Sequence, residues 1–253
     1  MAIIVSPAKE ERDLIEVYSL RYKVFCHEWG FEKPQSHMDG LVTDEVDENA
    51  LHFAAKDESN KTVGAATLIV DSSGKLPIEQ HCELEINHDD IPREGLAEIS
   101  RLVIHRNYRR RAEDKYIYGP DEERRSIGSF DFQYSYPASK NYYRRANDKY
   151  KHKSTSRRTH DSPLDRRKRH EVILRLYKAI YQESKKRKIT HWYAVMTNGI
   201  ATLLGRFGID FRAVGDPVDY HGIRTPYLGE IAKIEQSMSD ADPDLYKEFI
   251  TGL

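Results

Sequence analysis

Asp44-Glu45-Val46-Asp47 and Glu98-Ile99-Ser100-Arg101 hold the residue types in this chain most able to do chemistry. A positioned carboxylate can draw in an ammonium group and take its proton, directly or through water. A guanidinium can grip a carboxylate through two parallel hydrogen bonds or orient a neighbouring acid. Ion pairs cost desolvation when buried, so several acids and an arginine at the edges of one sheet read first as a site. A structural alternative stands beside that reading, in which Arg21, Asp47, Glu98 and Arg101 form a single ion-pair network. Elsewhere the signals are thinner. His81-Cys82-Glu83 and His88-Asp89-Asp90 lack paired metal-ligand spacing and read as loop residues, so no metal is expected. Tyr220-His221-Gly222 reads as a turn, from which His221 is a secondary candidate for the site.

The elements that must carry these groups follow from periodicity. Glu10 to Phe31 predicts an amphipathic helix, with Leu14, Tyr18, Tyr22, Phe25 and Trp29 recurring at three- and four-residue spacing. Pro34 and Gly40 bound a loop leading into the first acidic tetrad. Residues 51–55 and 63–70 predict a strand pair joined by a turn over Asp57-Glu58-Ser59-Asn60-Lys61. Leu96 to His105 predicts a further strand. From Ala112 to Arg169 the chain is rich in Tyr, Arg, Lys, Asp and Ser without sustained period, and so long a stretch reads as an insertion. A helix over residues 170–187 follows, striped by Val172, Ile173, Leu176, Tyr177, Ile180 and Tyr181, then a strand over 190–196. A short helix from Ile200 to Phe207 stops at Gly208, and residues 211–214 and 227–232 predict the last two strands. The order gives a mixed α/β or α+β sheet in one domain spanning 1–253, with the 112–169 segment inserted in it.

Composition narrows the partners. A hydrophobic fraction of 39% with 32% charged residues is ordinary for a soluble enzyme, and no apolar run approaches the ~20 residues of a membrane span. The amino-terminal residues lack the basic and apolar regions of a signal peptide. Cys26 and Cys82 form no CxxC pattern and read as reduced thiols, so the cytoplasm is the expected compartment. The net charge of −1 conceals an asymmetry: residues 106–170 hold 19 Lys/Arg against 9 Asp/Glu, or +10, leaving −11 on the remainder. An acidic body thus carries a basic middle.

Arg21-x-x-x-Phe25, Asp44-x-x-Asp47 and Glu98-x-Ser100-Arg101 together resemble the signature of acyl-homoserine-lactone synthases within the GNAT-like N-acyltransferases. A narrower resemblance is to acyltransferases associated with the PEP-CTERM/exosortase system. It rests on Arg21-Tyr22-Lys23-Val24-Phe25-Cys26, Glu32-Lys33-Pro34, Asp39-Gly40-Leu41, Pro77-Ile78-Glu79-Gln80-His81-Cys82 and Arg109-Arg110-Arg111, together with residues 190–196 and 219–224. The resemblance implies a GNAT-like acyltransferase fold, a curved mixed sheet flanked by helices whose central strands splay to admit a pantetheine arm. It implies N-acyl transfer from an acyl carrier protein phosphopantetheine thioester, or acyl-CoA, to the amine of an amino acid or related molecule, with no permanently bound cofactor. Glu98, Asp47, Asp44 and Arg101 would then be catalytic, and Arg21, Phe25, Thr67, Ser100 and Trp192 substrate-binding. Related synthases usually carry Arg where this chain has Thr67, so whatever that guanidinium anchors is held differently here.

Acyl transfer to an amine needs an unprotonated amine, an oxyanion donor and a grip on both substrates. Asp44, Asp47 and Glu98 are the candidate acids for the first. A backbone amide at an irregularity near Leu102–Val103 is the candidate for the second. After the Glu98 strand the chain runs into Arg106, Arg109, Arg110 and Arg111 with no glycine before Gly119, so a Gly-rich phosphate cradle is not expected. Those arginines, with the basic segment, are instead expected to meet phosphopantetheine and an acidic carrier protein. Two other functions stay open: an acyl-homoserine-lactone synthase using S-adenosylmethionine, and a nucleic-acid or carrier-protein binding module built on the interleaved Tyr and Arg of the insertion. The acidic remainder counts against nucleic acid.

Overall fold

Strand pairing begins earlier than the sequence reading predicts, with a short β1 (Ile4–Pro7) lying antiparallel to β2. The computed structural model describes residues 2–70, 74–86, 91–108 and 170–253, so the predicted insertion lies outside the described residues. After β1 come α1 (Glu11–Tyr22), β2 (Ala50–Lys56) and β3 (Thr62–Ile69), then a short α2 (Pro77–His81) and β4 (Leu96–Ile104). The second half holds α3 (Glu171–Lys186), β5 (His191–Met196), α4 (Asn198–Gly205), β6 (Arg212–Ala213), β7 (Val218–Asp219), β8 (Ile223–Glu230), α5 (Ile231–Ala241) and α6 (Pro243–Ile250). The sheet runs β1-β2-β3-β4-β5-β8-β6, with β7 paired to the outer end of β8. Three readings need correction. The last strand starts at Ile223 and ends at Glu230, where the chain turns into α5. The helix predicted to Phe31 widens into a π-helical turn over Lys23–Glu28. Both acidic tetrads meet at the middle of the sheet and not at its edges, because β4 is its fourth strand.

The two sheet faces differ in what covers them. On one, α3 sets Val172, Ile173, Leu176, Tyr177 and Ile180 against Phe53, Ala66, Leu68, Ala97 and Ile99. Trp192 lies in that same core, its indole nitrogen donating to Ser184 Oγ at 2.9 Å. On the other face α1 and the π-helical turn after it pack Val17, Leu20 and Val24 onto Ala54, Ala65 and Val103. This stripe differs from the predicted one, since Leu14, Tyr18, Phe25 and Trp29 are only partly buried at its margin. Further along the same face Ile69, Ile78, Leu96, Tyr193 and Leu228 make a separate apolar cluster. Side chains alternate along a strand, so His52, Thr67 and Glu98 share this face with Ala54, Ala65 and Leu96. The polar groups thus occupy the interval between two apolar clusters. No described helix is long and apolar enough to cross a membrane.

Two irregularities of β4 open the sheet at this point. Thr67 faces Ser100 and Ala65 faces Val103, so Arg101 and Leu102 together stand opposite Ala66. That is a β-bulge, and Arg101 adopts φ +52° within it. The parallel pairing of β4 with β5 covers only Leu96↔His191, Ala97↔Trp192 and Glu98↔Tyr193. Beyond Glu98 the two strands part.

Candidate active site

Arg21 is fully buried and sits at the centre of the polar interval. Its Nη1 donates to both oxygens of Asp47 at 2.9 Å. Nη2 donates to Thr67 Oγ1 at 2.5 Å and lies 3.1 Å from His52 Nδ1. With Nδ1 accepting from Arg21, the His52 ring carries its proton on Nε2, which lies 3.2 Å from the Asp47 carbonyl. Burial lowers the His52 pKa, and the Arg21 charge lowers it further, so the ring is neutral. Burial also lowers the pKa of Arg21, with Asp47 opposing. Thr67 therefore does not leave a gap where a related arginine would sit. It accepts from an arginine that reaches in from α1.

The first tetrad has its own local logic. Asp44 caps the 3-10 turn Glu45–Asn49, accepting from Val46 N at 3.1 Å, while Asp47 accepts from Asp44 N at 3.0 Å. This reciprocal cap presents the two carboxyls to different arginines: Asp47 to Arg21, and Asp44 to Arg101. Arg101 Nε also lies 3.9 Å from Asp47, which joins the two pairs. Partial burial opposes the Arg101 charge, but Asp44 and Asp47 carry its pKa above the ordinary value. Among the described residues Arg101 Nη1 is buried without a hydrogen-bond partner. Glu98 stands apart from this network. It is 3% exposed and accepts from Ile78 N at 2.9 Å, anchoring α2 to the sheet. Burial pushes its carboxyl up to about 7, against the pull of Ile78 N–H and Arg101.

A cavity opens where β4 and β5 part. Ile99, Ser100, Arg101 and Leu102 form one wall, and Ala194, Val195 and Met196 form another. Tyr177 and Ile200 line the cavity from the α3 and α4 side, whereas Phe25, Trp29, Phe31, Glu32 and Asp44 line it from the α1 side. Of the residues singled out in the sequence, Phe25, Asp44, Ser100 and Arg101 face this space. Arg21, Asp47, Thr67 and Glu98 are close behind it but buried, and Trp192 belongs to the α3-side core. Arg109, Arg110 and Arg111 lie outside the described residues. The sequence pattern carried no sign of His52, a lone histidine in an apolar strand, and Glu32, Tyr220 and Arg224 stood there only as motif or turn residues without a role; the loop after α1 and the β7–β8 hairpin bring those three to the cavity. His221 also lines it.

Residues 20–118 match the family model of the acetyltransferase (GNAT) domain. The fold is GNAT-like. Acyl transfer is the class of reaction that goes with that domain, and the protein is an enzyme of this acyltransferase type. Among curated proteins none matches the sequence. Solved structures extend the likeness over nearly the whole chain. The AHL synthase LasI is 16% identical, with a TM-score of 0.56, covering 94% of this chain and 95% of its own. A CoA-dependent acyl-homoserine lactone synthase, BjaI, is 15% identical with a TM-score of 0.55, covering 96% and 88%. FeeM, an N-acyl amino acid synthase from uncultured soil microbes, is 9% identical with a TM-score of 0.51, covering 95% and 97%. The parted β4 and β5 of the GNAT-like sheet agree with the splay that the motif resemblance implies.

Proposed function

We propose that the protein moves an acyl group from a thioester to the amine of a small acceptor that also bears a carboxylate, an amino acid or a near relative. The observation that carries this is the cavity between the parted strands, with the bulge at Arg101–Leu102 on its wall. A bulge leaves one residue outside the ladder, and its amide supplies a donor for the oxyanion of the tetrahedral intermediate. Arg101 Nη1, without a hydrogen-bond partner among the described residues, is assigned to the acceptor's carboxylate. Asp44 holds the other end of that guanidinium. Asp47, Arg21 and Thr67 position the α1 side of the cavity, and Glu98 positions α2. Ser100 and Phe25 are assigned to contact with substrate.

For the donor we favour acyl carrier protein. Strand β4 leads toward Arg109, Arg110, Arg111 and a segment of +10 charge, which would speed encounter with an acidic partner and weaken with added salt. Acyl-CoA is the alternative donor, as the CoA-dependent neighbour BjaI illustrates. A lactone-forming reaction with S-adenosylmethionine is the second reading, favoured by the likeness to LasI and weakened by Thr67. The narrower kinship with PEP-CTERM/exosortase-associated acyltransferases, a cytoplasmic setting and the one-domain organisation belong to the same proposal.

The experiment is to incubate the full chain with long-chain acyl carrier protein or acyl-CoA and a panel of amines, and to identify products by mass spectrometry. N-acyl amino acids are expected. Arg101→Ala should lower kcat/KM by roughly 10- to 100-fold for acceptors with a carboxylate, since hydrogen bonds to charged groups are worth about 1.5–3 kcal/mol. For amines without a carboxylate it should cost far less. No amide from any amine would sink the proposal, whereas methylthioadenosine release would move it to the second reading.

A further inference from the structure

An acceptor amine arrives as ammonium and must lose a proton before it attacks. The acids of the two sequence motifs are poorly placed to take it. Asp44 is engaged by Arg101 and Val46 N, Asp47 by Arg21, and Glu98 is buried against Ile78 N. Across the mouth of the cavity a different pair is available. His221, at the tip of the β7–β8 hairpin, directs Nε2 toward Glu32 Oε1 at 3.8 Å. Glu32 stands on the loop after α1, so the pair bridges the two sides of the cleft. Phe31 reinforces the bridge, its ring 5.2 Å from the His221 imidazole and 5.4 Å from the Arg224 guanidinium. Glu32 also faces His37 Nε2 at 3.7 Å, and among the described residues no closer donor meets its carboxylate. His221 and Glu32 both line the cavity.

We propose that His221, oriented by Glu32, is the base that accepts the acceptor's proton. This rests on the acyl-transfer reading above. The imidazole nitrogen turned away from Glu32 takes one proton from R–NH3+, and Nε2–H points to the carboxylate. The freed amine attacks the thioester carbonyl, a C–N bond forms and the C–S bond breaks. The departing thiolate receives the second proton that nitrogen loses as the amide forms, and the imidazolium releases the first to solvent. Thioester plus ammonium thus gives amide, thiol and one proton. Burial keeps the His221 pKa below the ordinary histidine value, with Glu32 and Asp219 raising it and Arg224 lowering it. The ring is therefore neutral near pH 7 and can accept a proton. Tyr220, whose hydroxyl burial holds in the protonated form, packs against the ring at 5.1 Å.

The test uses the full chain at saturating acyl donor and amine, with kcat followed across pH. His221→Gln should lower kcat by about 10²-fold or more, the usual contribution of a general base. In wild type kcat falls toward acid as the imidazole protonates; in the variant that limb gives way to a rise following the amine's own ionisation. His221 has φ +55°, which glycine adopts without strain, so His221→Gly gives a second, fold-compatible variant whose activity added imidazole should restore. Glu32→Gln should cost less and move the acid limb to lower pH, because the carboxylate raises the histidine pKa; a merely structural Glu32 would not move it. Wild-type amide formation with an unchanged rate and limb in His221→Gln and His221→Gly, and no imidazole effect, would overturn the assignment and leave acyl transfer standing. No amide from wild type overturns the acyl-transfer reading itself.

Discussion

Arg21→Ala should lose at least about 3–5 kcal/mol of stability, a large share of what holds the protein folded. Truncating one member of a buried pair leaves the other charge without compensation, which costs about 3–5 kcal/mol. A domain's whole stability is about 5–15 kcal/mol. Here the loss reaches further than Asp47, since Thr67 Oγ1 and His52 Nδ1 also meet the same guanidinium. Urea unfolding of wild type and variant measures the effect directly. Replacing Arg21 and Asp47 together with apolar residues of similar volume should recover most of the loss, as apolar substitutes often match buried ion pairs. A loss below about 1 kcal/mol in Arg21→Ala would mean that the network is not holding α1 to the sheet.

Glu98→Gln is expected to stabilise the protein at pH 8. The folded-state pKa of about 7 lies above the ordinary glutamate value because the carboxyl is buried. Between about pH 4.5 and 7 the unfolded chain has lost this proton while the folded chain keeps it. Stability from this group is thus full below pH 4.5 and lost as pH rises through 7, on the order of 3 kcal/mol at about 1.4 kcal/mol per unit. Glutamine keeps the neutral shape and can still accept from Ile78 N, so it escapes the loss. His52 titrates in an overlapping range with the opposite sign, because its pKa is lowered, and the difference between wild type and variant removes its contribution. Unfolding midpoints at pH 5 and pH 8 decide the matter. Equal midpoints for the two proteins at pH 8 would show that solvent or a rearrangement relieves the carboxylate.

Local pattern carried much of this architecture. The β2–β3 hairpin, β4, α3 and β5 were legible because their apolar residues recur at strand or helix period over enough length. β1 and β7 were not, having four and two residues. α5 and α6 went unread although they are amphipathic, since Tyr227 to Ala232 looked like one strand and Glu230 offered no obvious stop. The residues of the motifs come together beside the cavity, yet spacing could not say which of them are buried. Arg21 lies on the face of α1 turned to the sheet, where pattern reading expects an apolar residue. Arg21, Asp47, Arg101 and Asp44 form an ion-pair network from which Glu98 stands apart, and only its Asp44–Arg101 end reaches the cavity. Glu32 and His221 meet only through tertiary folding, so no local spacing could have paired them.

The three residue pairs that join β4 to β5 make a narrow seam between the two halves of the sheet. Slow unzipping there needs few backbone hydrogen bonds to break, so the amide protons donated across that seam should exchange through small openings well before those between β2 and β3. A substrate wedged into the gap above would use that compliance, levering the halves apart without melting either one.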